Sequence, residues 1–399
     1  MKANQLVSYA VVLVVAAILA ILFLTVRGRQ VDHVGGGSEK NLVLPSFPLN
    51  DIDSFSIQTG EESLKLVREG GTWGVIERDG YPADFQKIGE LLRSVYQLES
   101  VEKVPVGPSK YGRVGLLDPT SEEEGVEPEE KATVLSFMKE GQEHDSLWVG
   151  KEFTREERSQ FGSFDQAVGR FVKSLKSDDV LLVPEAFSDL GTDPADWLDK
   201  EFFQVRKVKS VERIPKEDPA QGWKLVRETD TGDFTLVDPQ EGEELDSAKV
   251  SAMKNAFSSP SFEDVIIEEG SESPEAVVFQ VETFEGFRYE VSVNEKDDAN
   301  EYLLTVSVSG DLPSEREAGE DESEEDKKKL DEEFEEEKTE LTKKLEDEQQ
   351  LEGYLYRVRG FVADSINKDR SELLAEKEEP EESEAPGVST DVPGLEGAP

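Results

Sequence analysis

Ninety carboxylates, two histidines and no cysteine set the chemistry open to this 399-residue chain. The lack of cysteine removes disulfides, thiolate metal sites and thiol nucleophiles together. Nucleophilic catalysis needs a base beside the nucleophile. His33 and His144 stand far apart, and no G-x-S-x-G motif accompanies them. His33 falls in a polar tether and His144 in a hairpin pattern, where a solvated imidazole is expected rather than a ligand. The chain has no H-E-x-x-H pair and no complete D-x-[DN]-x-[DN]-G loop with its distal Glu. Residues 228–233, ETDTGD, imitate the start of a calcium loop but lie between two strand patterns, so a hairpin turn is expected. GGTWG at 70–74 lacks the Lys-Ser/Thr of a phosphate-binding loop and reads as a strand connection. Carboxylate pairs at glycosidase spacing occur by default among so many, and carry no diagnostic weight. The expectation is therefore no catalytic residue, no metal site and no cofactor: a protein that is not an enzyme. One loop stands out, KYGRVGL at 110–116, whose Tyr111 and Arg113 are the candidate interaction residues. The competing reading has Tyr111, Val114 and Leu116 pinning that loop onto a sheet.

Charge narrows the partners. With 44 Lys+Arg against 90 Asp+Glu the formal net charge is −46, which repels nucleic acid and anionic headgroups over most of the surface. No nucleic-acid partner is expected. Residues 314–350 hold 18 acidic and 7 basic side chains and 371–399 hold 9 and 1, while the rest of the chain is diffusely acidic, as a soluble surface is.

The elements that position these residues begin with a membrane segment. Val7 to Val26, VSYAVVLVVAAILAILFLTV, is twenty residues without a charge, enough as a helix to cross the roughly 30 Å hydrocarbon core. Arg27-Gly28-Arg29 follows directly, whereas a signal peptide ends a shorter apolar core at an A-x-A-like site. Residues 1–29 thus read as an uncleaved anchor with its span at 7–26. Lys2 on one side and Arg27 and Arg29 on the other nearly balance. With no cytoplasmic nucleotide-binding signature downstream, the expected topology is single-pass in the inner membrane, with a cytoplasmic N-terminus and the bulk periplasmic or extracellular. Residues 30–43, containing Gly35-Gly36-Gly37-Ser38, form a flexible tether.

Beyond the tether the sequence repeats itself. KLVRE occurs at 65–69 and again at 224–228, and the flanking segments correspond in order and type. DIDSFSI (51–57), SLKLVRE (63–69), GTWGV (71–75) and a helix at 85–98 are answered by VKSVERI (208–214), WKLVRE (223–228), GDFTLV (232–237) and a helix near 246–257. Trp223-Leu225 takes the place of Leu64-Leu66, and Phe234-Leu236 that of Trp73-Val75. VEKV (101–104) is answered by SFEDVII (261–267), and the hairpin pattern 132–152 by 276–296. The strand patterns 166–174 and 178–184 are answered by 301–309 and 353–360, and AFSDLGTDPADWLD (186–199) by FVADSINKDRSELL (361–374), each a pair of short helical pieces. In the first helix Phe85, Ile88, Leu91, Leu92, Val95 and Leu98 recur at helical steps behind Asp84 as a cap; in the second, Val250, Met253 and Phe257 follow Asp246-Ser247. The fold class expected is α+β: two tandem similar units, 44–200 and 201–375, each a mainly antiparallel sheet with a packed helix.

In this alignment the charged block 310–352 becomes an insertion in the second unit's last hairpin. Leu330, Phe334, Leu341 and Leu345 share one helical face, which predicts a protruding helix or helical hairpin, short of a regular coiled coil. It reads as a solvated spacer, with a partner-binding arm as the alternative. The tail 376–399, rich in Glu, Pro and Gly, is expected to be disordered.

The apolar start, the Trp73-x-Val75 strand pair, Gly80-Tyr81-Pro82-Ala83-Asp84 before the helix, KYGRVGLLDP (110–119) and DPADWLDKEF (193–202) together resemble an uncharacterised bacterial membrane-anchored family, domain of unknown function 4340. The similarity runs over roughly 44–375, and 111–119 is its most specific part. The resemblance implies company with gliding-type or related ABC transport systems and supplies no catalytic residue. The charged insertion departs from the family's compact pattern. The expected function is a non-catalytic interaction or accessory subunit of a bacterial envelope complex, with the membrane and an envelope protein as partners. The alternatives are a carboxylate-based enzyme acting on envelope glycans and a ligand-binding module using the cleft between the units.

Overall fold

The computed structural model of the chain describes residues 41–376, apart from 61, 123–124, 160–161, 217, 268–275, 295–297 and 317–321. The expected membrane span 7–26, most of the tether and the tail from 377 lie outside the described residues. Among the described residues no helix is long and apolar enough to cross a membrane.

Alternating apolar residues build two antiparallel sheets. The first holds β1 (Ser54–Thr59), β2 (Glu62–Glu69), β3 (Thr72–Val75), β4 (Tyr81–Pro82), β5 (Glu102–Val104), β6 (Thr133–Lys139), β7 (Gln142–Ser159), β8 (Gly162–Ser174) and β9 (Val180–Val183). The second holds β10 (Val208–Pro215), β11 (Trp223–Val226), β12 (Thr235–Leu236), β13 (Asp264–Ile266), β14 (Val277–Thr283), β15 (Phe287–Val293), β16 (Glu301–Gly310) and β17 (Leu355–Arg359). Their strand orders are β4-β3-β2-β1-β6-β7-β8-β9-β5 and β12-β11-β10-β14-β15-β16-β17-β13. Set β4 aside, and the two orders agree strand for strand.

Register and caps agree as well. Leu66 pairs with Phe55 and Val75, as Leu225 pairs with Val211 and Leu236. Period-two burial puts Leu66 and Leu225 fully inside, while Lys65 is exposed and Lys224 half-buried against Glu212 at 2.7 Å. Arg68 stands over the Trp73 ring (5.7 Å), and Arg227 over Phe234 (5.6 Å). Asp84 N–H donates to Trp197 O (2.8 Å), and Asp246 N–H to Leu373 O (2.9 Å).

Helix α1 (Phe85–Tyr96) begins where Asp84 accepts from Lys87 N–H (2.9 Å) and buries Ile88, Leu92 and Val95. Phe85 was expected on the same face but is 70% exposed, because at the first helical position it precedes the turn that meets the core. The second helix is shorter than expected: α2 spans Ser247–Val250 and continues as a 3₁₀ segment, Ser251–Asn255, that buries Met253. Of the two pieces expected in 186–199, only Pro194–Trp197 is helical. Both pieces of 361–374 form, as α4 (Phe361–Asp364) and a 3₁₀ turn, Arg370–Leu373; α3 (Glu324–Gln349) lies in the charged insertion. β7 and β8 run far beyond the expected 144–152 and 166–174, because the polar TREE stretch at 154–157 carries no apolar alternation to announce a strand.

Side chains from both sheets join in one hydrophobic core. Between the sheets Tyr81 packs edge-on against Phe262 (5.8 Å), Tyr354 (4.8 Å) and Tyr356 (6.0 Å), and Phe202 lies 4.6 Å from Tyr356. Arg78 closes this seam with two parallel 2.8 Å bonds to Asp264. Aromatic rings therefore occupy the place where a cleft between the units was considered.

Candidate functional site

The two residues singled out from sequence part company. Pro108–Val114 forms a 3₁₀ segment in which the buried Tyr111 donates from its hydroxyl to Asp178 O (3.0 Å), while Arg113 is exposed. Tyr111, Val114 and Leu116 join Ala132, Val134 and Val180 in a small apolar cluster. The phenol is raised above its ordinary range first by burial and then by Asp178 and Asp179. Beneath the loop, Gly150 of β7 is a forced glycine, since a Cβ there would lie 2.2 Å from Val114 O. This packing is the pinning arrangement for Tyr111, while Arg113 stands at the surface.

A denser group of functional side chains gathers on the charged insertion. It is one helix, α3 (Glu324–Gln349), about 39 Å long at 1.5 Å per residue. Ser323 Oγ accepts from Asp326 N–H (3.1 Å), and Glu324, Glu325 and Asp326 complement the dipole in the first turn. Phe334, Lys338, Leu341, Lys344, Leu345 and Glu348 recede from solvent along one face, while most of the remaining surface is exposed. Residues 310–316, leaving β16, lie back along this face, and a single helix forms rather than a helical hairpin. Leu345 packs by Gly310, Lys338 Nζ donates to Ser314 O (3.0 Å), and Arg316 forks onto Glu322 (2.6 and 2.7 Å) while reaching Asp331 (2.9 Å).

At its C-terminal end the helix is locked to the second sheet through buried charge. Glu348, 5% exposed, accepts the Gln204 N–H (2.7 Å) on one oxygen and the Tyr289 hydroxyl (2.8 Å) on the other. Lys344 Nζ donates to Tyr289 Oη (2.5 Å) and to Glu348 (3.0 Å) and sits 4.2 Å from the Phe287 ring centroid. Burial, then the Glu348 charge, pushes the Tyr289 phenol far above its ordinary range, so it stays protonated and donates. Each buried polar group here has a partner, as a buried ion pair requires.

Two hollows flank this root. A hollow of about 180 Å³ is lined by Phe284, Leu312, Pro313, Phe334 and Leu341 together with the charged Lys207, Glu285, Glu337 and Lys338. A trough of about 410 Å³ beside it shares Leu341, Glu285 and Glu337 and adds Glu340 and Asp347. Sequence reading found the apolar face but missed the lock. The signal was present: Glu348 continues the Phe334-Leu341-Leu345 stripe, and a carboxylate on a buried face demands partners. Tyr289, 59 residues earlier, could not be named as one without the fold. Among the described residues no group of three or more His, Asp or Glu is arranged to hold a metal.

The segments that suggested a resemblance, 80–84, 110–119 and 193–202, now have places: the approach to α1, the pinned loop, and the link toward the second sheet. The model of the family described as Domain of unknown function (DUF4340) matches residues 73–278, from β3 into β14 and just over half of the chain. No curated protein and no solved structure matches significantly. The chain belongs to the DUF4340 family.

Proposed function

We propose that this protein is a non-catalytic accessory subunit of a bacterial envelope complex. In this reading residues 7–26 hold it in the inner membrane, and two related units, 44–200 and 201–375, stand outside the cytoplasm. The observation that carries the proposal is α3, a 26-residue charged helix fastened at one end by a buried Lys-Tyr-Glu lock and otherwise exposed along most of its surface. A free spacer needs no such fastening, whereas a presented surface does, since holding a binding face in place lowers the entropic cost of association. The uncharged twenty-residue stretch supports the membrane location, and the family resemblance supports a transport system as the setting. In-cell crosslinking followed by detergent-solubilised pull-down of the full chain should recover a reproducible membrane partner; recovery of the chain alone refutes the role. A reporter fused after Pro399 should be active only outside the cytoplasm, and cytoplasmic activity refutes the topology.

A further inference from the structure

We infer that the outer edge of β8, over residues 162–167, takes an added β-strand from an extended segment of a membrane-held partner. This rests on the accessory-subunit reading and specifies how that partner is gripped. β7 and β8 outrun their sheet. On one side β6 pairs with β7 only as far as Val149, and on the other β9 pairs with β8 only over Arg170–Val172. Beyond those points the two strands continue as a ribbon, paired from Glu152–Arg170 to Ser159–Gly162, about 25 Å at 3.3 Å per residue. In the second unit the corresponding strand β15 stops at Val293, level with Val277 of β14. The ribbon is thus an addition that the shared scaffold does not require.

A two-stranded ribbon leaves backbone N–H and C=O groups unpaired along both outer edges and is marginal in water on its own. Its two edges are not alike. The β7 stretch 154–159, TREERS, has four charges in six residues, the usual guard of a free edge, and its root at Gly150 lies under Val114 O. The β8 stretch 162–167, GSFDQA, has one charge and no proline, and pairs without a break from Thr154–Ala167 to Ser159–Gly162. Among the described residues no other strand pairs with its outer side. Alternating donors and acceptors at strand spacing are matched by another extended backbone, and main-chain bonds then supply the affinity. One added strand makes the ribbon three-stranded, the smallest sheet with stability of its own.

The ribbon's direction selects the partner. Arg170 pairs with Val183, and the adjoining Leu182 pairs with Glu102, so the ribbon leaves the sheet at the end where β5 begins. The chain enters the fold at that same end, through the Leu42–Glu99 bridge and the Ser100 N–H bond to Asn41 O (2.9 Å). Between the expected span and Asn41 lie the 14 residues 27–40, whose reach as a flexible chain is about 20 Å, comparable with the ribbon. The edge therefore stands in the layer next to the bilayer, where the strand on offer is an extramembrane segment of a membrane protein. A second copy of the chain is the poorer donor, since each copy carries a charge of −46.

The test reads amide exchange along β8 in the full chain in detergent micelles, alone and in the crosslinked partner complex. In the chain alone, the 162–167 amides should exchange about 100-fold faster than those of β6. Protection equal to that of β6 means an edge already filled and overturns the site. In the complex the same amides should slow at least about tenfold. Ser163→Lys with Ala167→Lys, the lysine guard that closes natural edges, should lower recovery of the complex about tenfold and leave β6 exchange unchanged. Unchanged 162–167 exchange in the complex, or parental recovery from the lysine variant, overturns the site and leaves the accessory role standing. A complex whose other member is a second copy of this chain overturns the membrane-held partner. Recovery of the chain alone removes the role, and the site with it.

Discussion

Replacing Glu348 by Gln keeps the shape of the α3 root and changes only its electronics. Gln retains one carbonyl oxygen for the Gln204 N–H but turns an NH₂ donor toward the Tyr289 hydroxyl and the Lys344 ammonium, both of which donate to Glu348. Two hydrogen bonds to a charged acceptor are lost, each worth about 1.5–3 kcal/mol. Part of that returns as Lys344, 18% exposed, swings its ammonium to water. The net cost is about 3 kcal/mol, concentrated on opening of the helix end rather than on global unfolding. Amide hydrogen exchange measures this directly, since the Gln204 N–H and the amides of 345–349 are released by the same opening. Their exchange should accelerate about 100-fold in E348Q, at 1.4 kcal/mol per decade, while β6 and β7 amides keep their rates. Replacing the whole group, as Y289F/K344M/E348L, should restore most protection of the 345–349 amides, because an apolar substitute for a buried ion pair is close to neutral, but not of the Gln204 N–H, which then has lost its side-chain acceptor. Exchange at Gln204 within about threefold of the parent in E348Q would refute the lock, since a threefold change is only about 0.7 kcal/mol.

Alkali should unfold the protein through its buried phenols. Tyr81, Tyr289 and Tyr356 are all raised above the ordinary value of 10.0, first by burial. Each therefore stays protonated in the native state where the unfolded chain has ionised. The stability they contribute is whole below pH about 10 and falls above it by about 1.4 kcal/mol per pH unit per tyrosine, about 4 for the three. Denaturation midpoints measured across that range, with phenolate absorbance appearing only on unfolding, check this. Gly150→Ala should cost about 1–3 kcal/mol and expose Tyr111, because its Cβ would meet Val114 O at 2.2 Å; Gly107→Ala, with open space around it in the same loop, should be neutral, and near-ultraviolet dichroism compares the two. Arg78→Met should cost about 2 kcal/mol by stranding Asp264, and adding Asp264→Leu should recover most of it, read as shifts in denaturation midpoint.

The strands and their buried faces were legible because period-two burial is written locally: Leu66 and Leu225 each betray their face within five residues. The caps at Asp84 and Asp246 were legible for the same reason. What was not legible depended on partners far away in the chain. Pairing of the polar tip of β7 and β8 has no apolar signature. The shortening of the second helix to one α-turn and a 3₁₀ continuation leaves the same residues, Val250 and Met253, buried, so the burial pattern could not distinguish them. Tyr111 stood out in KYGRVGL as a candidate interaction residue, but its hydroxyl answers a backbone carbonyl 67 residues away and its ring a small core, neither visible in that stretch.

The aromatic seam decides how separable the two halves are. Tyr81 belongs to the first sheet by sequence yet packs against Phe262, Tyr354 and Tyr356 of the second half. A unit excised at the boundary near residue 200 would present these rings to water as an adhesive surface. The two halves, however alike in strand order, are therefore coupled: a substitution among the seam rings of one changes the packing of the other.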